Sequence, residues 1–419
     1  MNTTIHQPPP RLLLIRTLVS LCLACSLAGL AGAGEPPAGP GFGWRGDGSG
    51  RYPEATPPLE WDGETGKNIL WKTKVGLSKF SSPTVVKDKI FVVAEPAQLL
   101  CLDAADGKIL WSRANGFADL PVKVEERLAL GQQGNTTPTP VSDGRFVYAA
   151  FGSGIVACYD LQGTRQWIQF LAAPPGLDFG RSSSPALLGD RLLVSVHHLF
   201  ALEAKTGKVG WKHESVTERY GTPLAAWLGG VALVLTPSGQ IVRVADGKEC
   251  FTATELQYAS PVVQGSVAYF VGTSSSAVTF TASRGEVAFK TLWQTDLEGS
   301  YYASPVYDQG LLYTASNEGT LLILDATDGK IIVSKELPIS SGAGRPNQPN
   351  ANIYPSLALA GKYVFISNDM GDTLVLESGR EGKEARRNNL GEGFSGAPVF
   401  AGSRMYVRAK ERLYCVGVK

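Results

Sequence analysis

Aromatic and cationic side chains recur at one spacing ahead of a series of prolines. Three residues before a proline stand Phe80, Tyr220, Tyr258 and Tyr302, and four before stand Lys79, Arg181, Arg219 and Tyr301. Asn135 and Asn352 fill the three-before place in two further units, and Tyr354 adjoins another proline. If these residues converge, the rings offer flat faces for stacking and the cations offer partners for carboxylates. The same residues also have a packing reading, in which rings wedge neighbouring sheets together and arginines pair with local acids. The sequence leaves both open.

The elements that would position them form a repeat. Ser82-Pro83, Thr137-Pro138, Ser184-Pro185, Thr222-Pro223, Ser260-Pro261 and Ser304-Pro305 each open a short apolar run, and Tyr354-Pro355 and Ala397-Pro398 are variants. A strand-built repeat of roughly 40–50 residues predicts a β-propeller. In one unit, strand a starts at Pro83, strand b is Ile90–Val93, strand c is Leu99–Leu102 and strand d is Ile109–Trp111. Asp106-Gly107-Lys108 makes the c–d turn, where glycine accepts a positive φ. The last unit stops after three strands, and a spare strand d, Ile69-Leu70-Trp71, precedes the first proline. Pairing the two predicts an all-β, eight-bladed propeller with four-stranded blades and no free sheet edge. Trp111, Trp167 and Trp211 recur at one place in strand d and are assigned to blade packing.

Composition narrows the function. Lys and Arg number 39 against 38 Asp and Glu, so no basic field exists to attract nucleic acid. Arg11 and Arg16, the uncharged stretch 17–30 and Ala31-Gly32-Ala33 predict a signal peptide over 1–33, hence export to a periplasmic or extracellular space. Residues 34–68 then form an N-terminal extension and 69–419 the propeller. The apolar run is short for a membrane span. Cys25 has Cys22 three residues before it rather than an aliphatic residue, so no lipid anchor is expected there. Cys101, Cys158 and Cys415 hold matching strand positions in different units, which predicts buried free thiols rather than disulfides. Two connections are long, 114–136 with a short helix expected from Pro121, and 338–352; both emerge on the face where strand a begins.

The blade ending Gly107-Lys108-Ile-Leu-Trp111 resembles the PQQ-like (quinoprotein-type) repeat family of eight-bladed propellers. The stretch from Trp44-Arg45-Gly46 through Ile69-Leu70-Trp71-Lys72 to Ser81-Ser82-Pro83 is similar to the opening of exported members abundant in planctomycete-type bacteria. The resemblance spans nearly the whole mature chain and implies two different functions. One branch is the propeller of the outer-membrane β-barrel assembly machinery, a non-enzymatic binding module. The other is the quinone-dependent alcohol dehydrogenases, which imply PQQ under adjacent cysteines, calcium on Glu and Asn, and an Asp base.

This chain lacks a Cys-Cys pair, and its acids Asp369 and Glu318 sit in Asn/Asp-Gly-type hairpins that turn chemistry explains. His197-His198 alternates across a strand and lacks a third ligand for a metal. We therefore expect a monomeric, exported binding or scaffolding propeller that engages an envelope protein, peptide or small ligand at the funnel. A dehydrogenase using PQQ and calcium is the alternative.

Overall fold

A computed structural model describes Met1 and residues 41–124, 132, 134–172, 178–217, 219–283, 286–339, 351–394 and 396–419. The expected signal peptide, Cys25, the expected helix beyond residue 124 and most of the 338–352 connection lie outside these. Apart from Met1, the described residues belong to one compact unit, Gly39–Lys419. None of them forms a helix long and apolar enough to cross a membrane.

Alternating short apolar runs and Gly-bearing turns give eight sheets, six of them built from four consecutive antiparallel strands and the last two each taking a strand from the N-terminal segment. Blade 1 comprises Thr84–Val86, Lys89–Ala94, Gln98–Asp103 and Ile109–Ala114. The innermost strands of blades 2 to 7 are Val141–Ser142, Ala186–Leu188, Leu224–Leu228, Val262–Gln264, Val306–Asp308 and Ala358–Ala360. In blade 8, Val399–Ala401, Arg404–Arg408 and Arg412–Val416 are completed by Ile69–Lys74, which pairs antiparallel with the last of them. The first and last blades also meet on the inside, and buried Arg408 donates through Nη2 to the Gly76 carbonyl at 2.7 Å.

Two sets of contacts join blade to blade. On the outside, a tryptophan of strand d lies over the c–d turn of the next blade. Trp111 donates to Leu161 O, Trp167 to Ala204 O, Trp211 to Val244 O and Trp293 to Ala326 O at 2.8–3.1 Å. The turn glycine beneath each ring has a positive φ, and a Cβ on Gly107, Gly163, Gly207, Gly247 or Gly329 would stand 2.5–2.9 Å from a tryptophan ring. Both steric space and backbone conformation therefore demand glycine there. Trp71 completes the set over Gly107, although Arg404 takes the Ala104 carbonyl and Trp71 Nε1 has no acceptor. Strand d carries no tryptophan at the junctions of blades 4 and 5, 6 and 7, and 7 and 8. Blade 5 instead extends its outer hairpin, Ser274–Ser283 and Glu286–Asp296, and Phe251 stacks on Phe289 at 5.3 Å.

On the inside, hydroxyls form a belt around the channel. The amides of Ser82, Thr139, Ser184, Thr222, Ser260 and Ser304 donate in turn to the side-chain oxygens of Thr139, Ser184, Thr222, Ser260, Ser304 and Ser356, at 2.8–3.1 Å. The belt corrects the register of two units. Thr139-Pro140, not Thr137-Pro138, leads blade 2, and Ser356-Leu357, not Tyr354-Pro355, leads blade 7. In both units the extra proline two residues upstream imitates the repeat. Ala397 interrupts the belt at blade 8, and Ser82 Oγ is buried without a partner.

The belt makes a contrast in stability. Ser260→Ala strips the Thr222 amide of its acceptor in a buried site and should lower the unfolding free energy by about 1–3 kcal/mol. Ser82→Ala removes an oxygen that accepts nothing and should change it by less than about 0.5 kcal/mol. Urea denaturation of both variants measures the difference; equal losses would dismiss the belt as a stabilising feature.

Candidate functional site

Because the belt fixes where each blade meets the channel, the residue two places before each belt position faces the same cavity. These residues are Phe80, Thr137, Ser182, Tyr220, Tyr258, Tyr302 and Tyr354, and all line a cavity of about 180 Å³. The eighth, at position 395, lies outside the described residues. Ser184, Thr222, Ser304, Ser356 and Ala397 of the belt itself also border it. The lining is uneven. At this position blades 4, 5, 6, 7 and 1 contribute rings and blades 2 and 3 small hydroxyls, while Phe179, in the connection into blade 3, adds a ring.

The rings touch in series. Phe179 meets Tyr220 at 6.1 Å, Tyr220 stacks on Tyr258 at 5.3 Å, and Tyr258 meets Tyr302 edge-on at 4.2 Å. Tyr302 meets Tyr354 at 5.4 Å, and Tyr354 meets Phe80 edge-on at 5.6 Å. Their interplanar angles run from 14° to 85°, so they form a curved wall rather than one flat surface. Burial raises the Tyr302 and Tyr354 hydroxyls above the usual phenol range, and for Tyr302 the neighbouring Tyr258 hydroxyl adds to this. These tyrosines are neutral at physiological pH and serve as hydrogen-bonding rings, not as bases.

The floor comes from the N-terminal extension. Residues 41–52 cross the channel from blades 2 and 3 to blades 6 and 7. Gly41 donates to Leu187 O, Phe42 pairs with Ser142, and Arg51–Tyr52 adds a parallel strand beside Leu359 and Ala360. Arg45 is fully buried, and its Nη2 donates to the carbonyls of Pro305 and Leu357 at 2.6 and 2.9 Å, one residue past the belt. Desolvation pulls its guanidinium down to about 10. Gly50 is flush against it, for a Cβ there would lie 2.2 Å from Arg45 Nη2. Trp44 lies under the guanidinium at 5.2 Å and borders both the aromatic cavity and a smaller one of about 30 Å³ beyond it. The cavity is thus blind.

The structure separates the residues expected in the funnel. Phe80, Tyr220, Tyr258, Tyr302 and Tyr354 come together in the cavity wall. Lys79, Arg181 and Arg219 do not line it: they donate to Gln132 O, to Gly152 O and to the Glu255 carboxylate respectively. Tyr301 turns into the core and donates to Glu298 O at 2.8 Å. Asn135 bonds Pro96 O and the Ser153 amide, and Asn352 holds Asp369, so both tie connections to turns. The register correction explains these two, since each lies five residues, not three, before the leading position of its blade. Sequence reasoning missed Trp44, Phe179, Thr137 and Ser182. Aligning the units on hydroxyls instead of prolines would have found Thr137 and Ser182. His197 and His198 do not point apart either: His197 occupies a turn with φ 63° and the rings meet at 4.4 Å.

A family profile described as outer membrane protein assembly factor BamB matches residues 58–198, 179–335 and 290–354. The chain belongs to this family of PQQ-like propellers. The fold is that of BamB from Moraxella catarrhalis, with TM-score 0.58, 14% identity and coverage of 83% of this chain and 100% of that one. The designed protein Ika8 is similar at TM-score 0.59 and 12% identity, covering 84% of this chain and 99% of its own. Quinohemoprotein alcohol dehydrogenase from Comamonas testosteroni follows at TM-score 0.57 and 11% identity, over 88% and 79% of the two chains. At such identities the likeness is one of fold. No curated protein sequence matches the chain.

The cavity does not suit PQQ. That quinone carries three carboxylates, and the lining among the described residues contains no lysine or arginine to face them and no Asp or Glu to hold calcium. Among the described residues no cluster of His, Cys, Asp or Glu could hold a metal, and Cys101, Cys158, Cys250 and Cys415 are unpaired. PQQ with calcium should therefore leave the thermal midpoint unchanged. A ligand at 100 times its dissociation constant stabilises by about 2.7 kcal/mol, so a clear upward shift would contradict the mismatch.

Proposed function

We propose that this protein is an exported, non-enzymatic binding propeller of the bacterial cell envelope, which engages a partner or small ligand at its blind aromatic cavity. The observation that carries this reading is the lining: among the described residues it consists of rings, hydroxyls and small side chains, with no carboxylate, amine, imidazole or thiol in the cavity wall itself. Such a surface recognises shape and polarisability and supplies no group for proton transfer or nucleophilic attack. The rim supports it further. Leu77, Phe179 and Met370, in connections or turns on the cavity face, are 44%, 44% and 38% exposed. Exposed apolar side chains around a concave site fit the edge of a protein interface. The family relationship with an assembly factor points the same way, as does the Arg11-to-Ala33 segment for export.

Site-directed photocrosslinking in the native cell tests the proposal. A photoreactive phenylalanine analogue at Phe179 should trap a defined partner, while the same analogue at Leu110, exposed on the outer circumference of blade 1, should not. The double variant Tyr258→Ala with Tyr302→Ala should abolish the Phe179 adduct at unchanged expression. Adducts that form equally from both positions, or that ignore the tyrosines, would dismiss the cavity as the binding site.

A further inference from the structure

On the Tyr302 and Tyr354 side of the aromatic wall the charged groups among the described residues are acidic. Glu318 and Asp369 are bonded to Ser300 and Asn352, each two residues before a ring of the wall, Tyr302 and Tyr354, and both push those hydroxyls up after burial has done so. Asp369 accepts the Asn352 amide and Nδ2 at 2.8 and 3.0 Å, and Glu318 accepts only a 3.4 Å bond from the Ser300 amide. Neither has a cationic partner among the described residues. The cations nearest in sequence are held elsewhere, Arg219 by Glu255, Arg181 by the Gly152 carbonyl and Lys79 by the Gln132 carbonyl. The cavity therefore combines a curved wall of electron-rich rings, a neutral lining and nearby carboxylates without a counter-ion among the described residues.

We infer that the cavity is an aromatic cage for a quaternary ammonium group, carried by a small molecule of the choline class. Ring faces attract cations through their quadrupoles, most strongly where water is excluded. A quaternary ammonium has no N–H to satisfy, so a lining of rings and hydroxyls is sufficient for it. A primary ammonium or guanidinium would lose its water without gaining carboxylate acceptors, which this lining does not provide. Glu318 and Asp369 supply the longer-range attraction that would separate a cation from a neutral group of equal shape. The inference rests on the reading of the cavity as a binding site and names its ligand.

Titration calorimetry on the mature full chain tests it with choline and its uncharged isostere 3,3-dimethylbutan-1-ol, in which carbon replaces nitrogen. Choline should bind at least tenfold more tightly than the isostere. Tyr302→Ala should weaken choline at least tenfold. Asp369→Asn, which retains an oxygen to accept the Asn352 amide, should weaken choline severalfold and leave the isostere unaffected. Equal or tighter binding of the isostere would overturn the cage while leaving an apolar binding cavity. Absence of binding by either probe would overturn it too, and the Phe179 crosslinks would then decide separately whether the cavity binds anything.

Discussion

An amide donated by each blade to a hydroxyl of the next is the constraint on which the channel depends. Six such bonds run from Ser82 to Ser356 and tie the starting points of seven innermost strands to one circle. Each net bond is modest, about 1 kcal/mol, but a buried amide without it costs more than the bond contributes. The hydroxyl is therefore a condition of closing the ring rather than an ornament of it. Its geometric consequence is larger than its energy. Once the belt position is set, the residue two places earlier must look into the same cavity in every blade.

Outer and inner contacts divide the work of assembly. Tryptophans over turn glycines bury large rings at the circumference, where adjacent blades diverge and space must be filled. Of the three junctions without a strand-d tryptophan, the one between blades 4 and 5 is filled by a longer hairpin and a phenylalanine stack. Inside, the space narrows and small Ser, Thr and Ala side chains suffice. Arg45 then closes what the small residues leave open. Its burial costs desolvation, offset in part by two carbonyls at the starts of blades 6 and 7. Fully buried Arg45 is thus a plug.

The described lining of this propeller offers no cation to a carboxylate-bearing quinone. The chain's cations near the mouth are turned into carbonyls and a carboxylate of the scaffold, so the wall that remains is neutral and aromatic. A shared architecture of blades leaves that choice free, because the rings of the lining belong to connections outside the strands. The same freedom explains why blades 2 and 3 present Thr137 and Ser182 where others present rings. One side of the cavity is left small and polar, the other broad and polarisable.

Much of this was legible in the chain. Alternating apolar runs, Gly-bearing c–d turns and strand-d tryptophans determine eight blades, and an incomplete last unit with a spare strand near Trp71 implies closure by the N-terminal strand. These features are local and periodic, so spacing alone reveals them. Five of the cavity rings were legible for the same reason. The register of blades 2 and 7 was not, since Pro138 and Pro355 mimic the leading position, and only hydrogen bonding between blades distinguishes Thr139 and Ser356 from them. Nor could spacing tell that Arg181, Arg219 and Lys79 face away, that Tyr301 is buried, or that Trp44 forms the floor. Those outcomes depend on partners distant in the chain, such as Gly152, Glu255 and Leu357. The sequence by itself determined the repeat and the kinds of residue near the channel; the closed ring decided which of them face it, because burial and pairing are settled between blades.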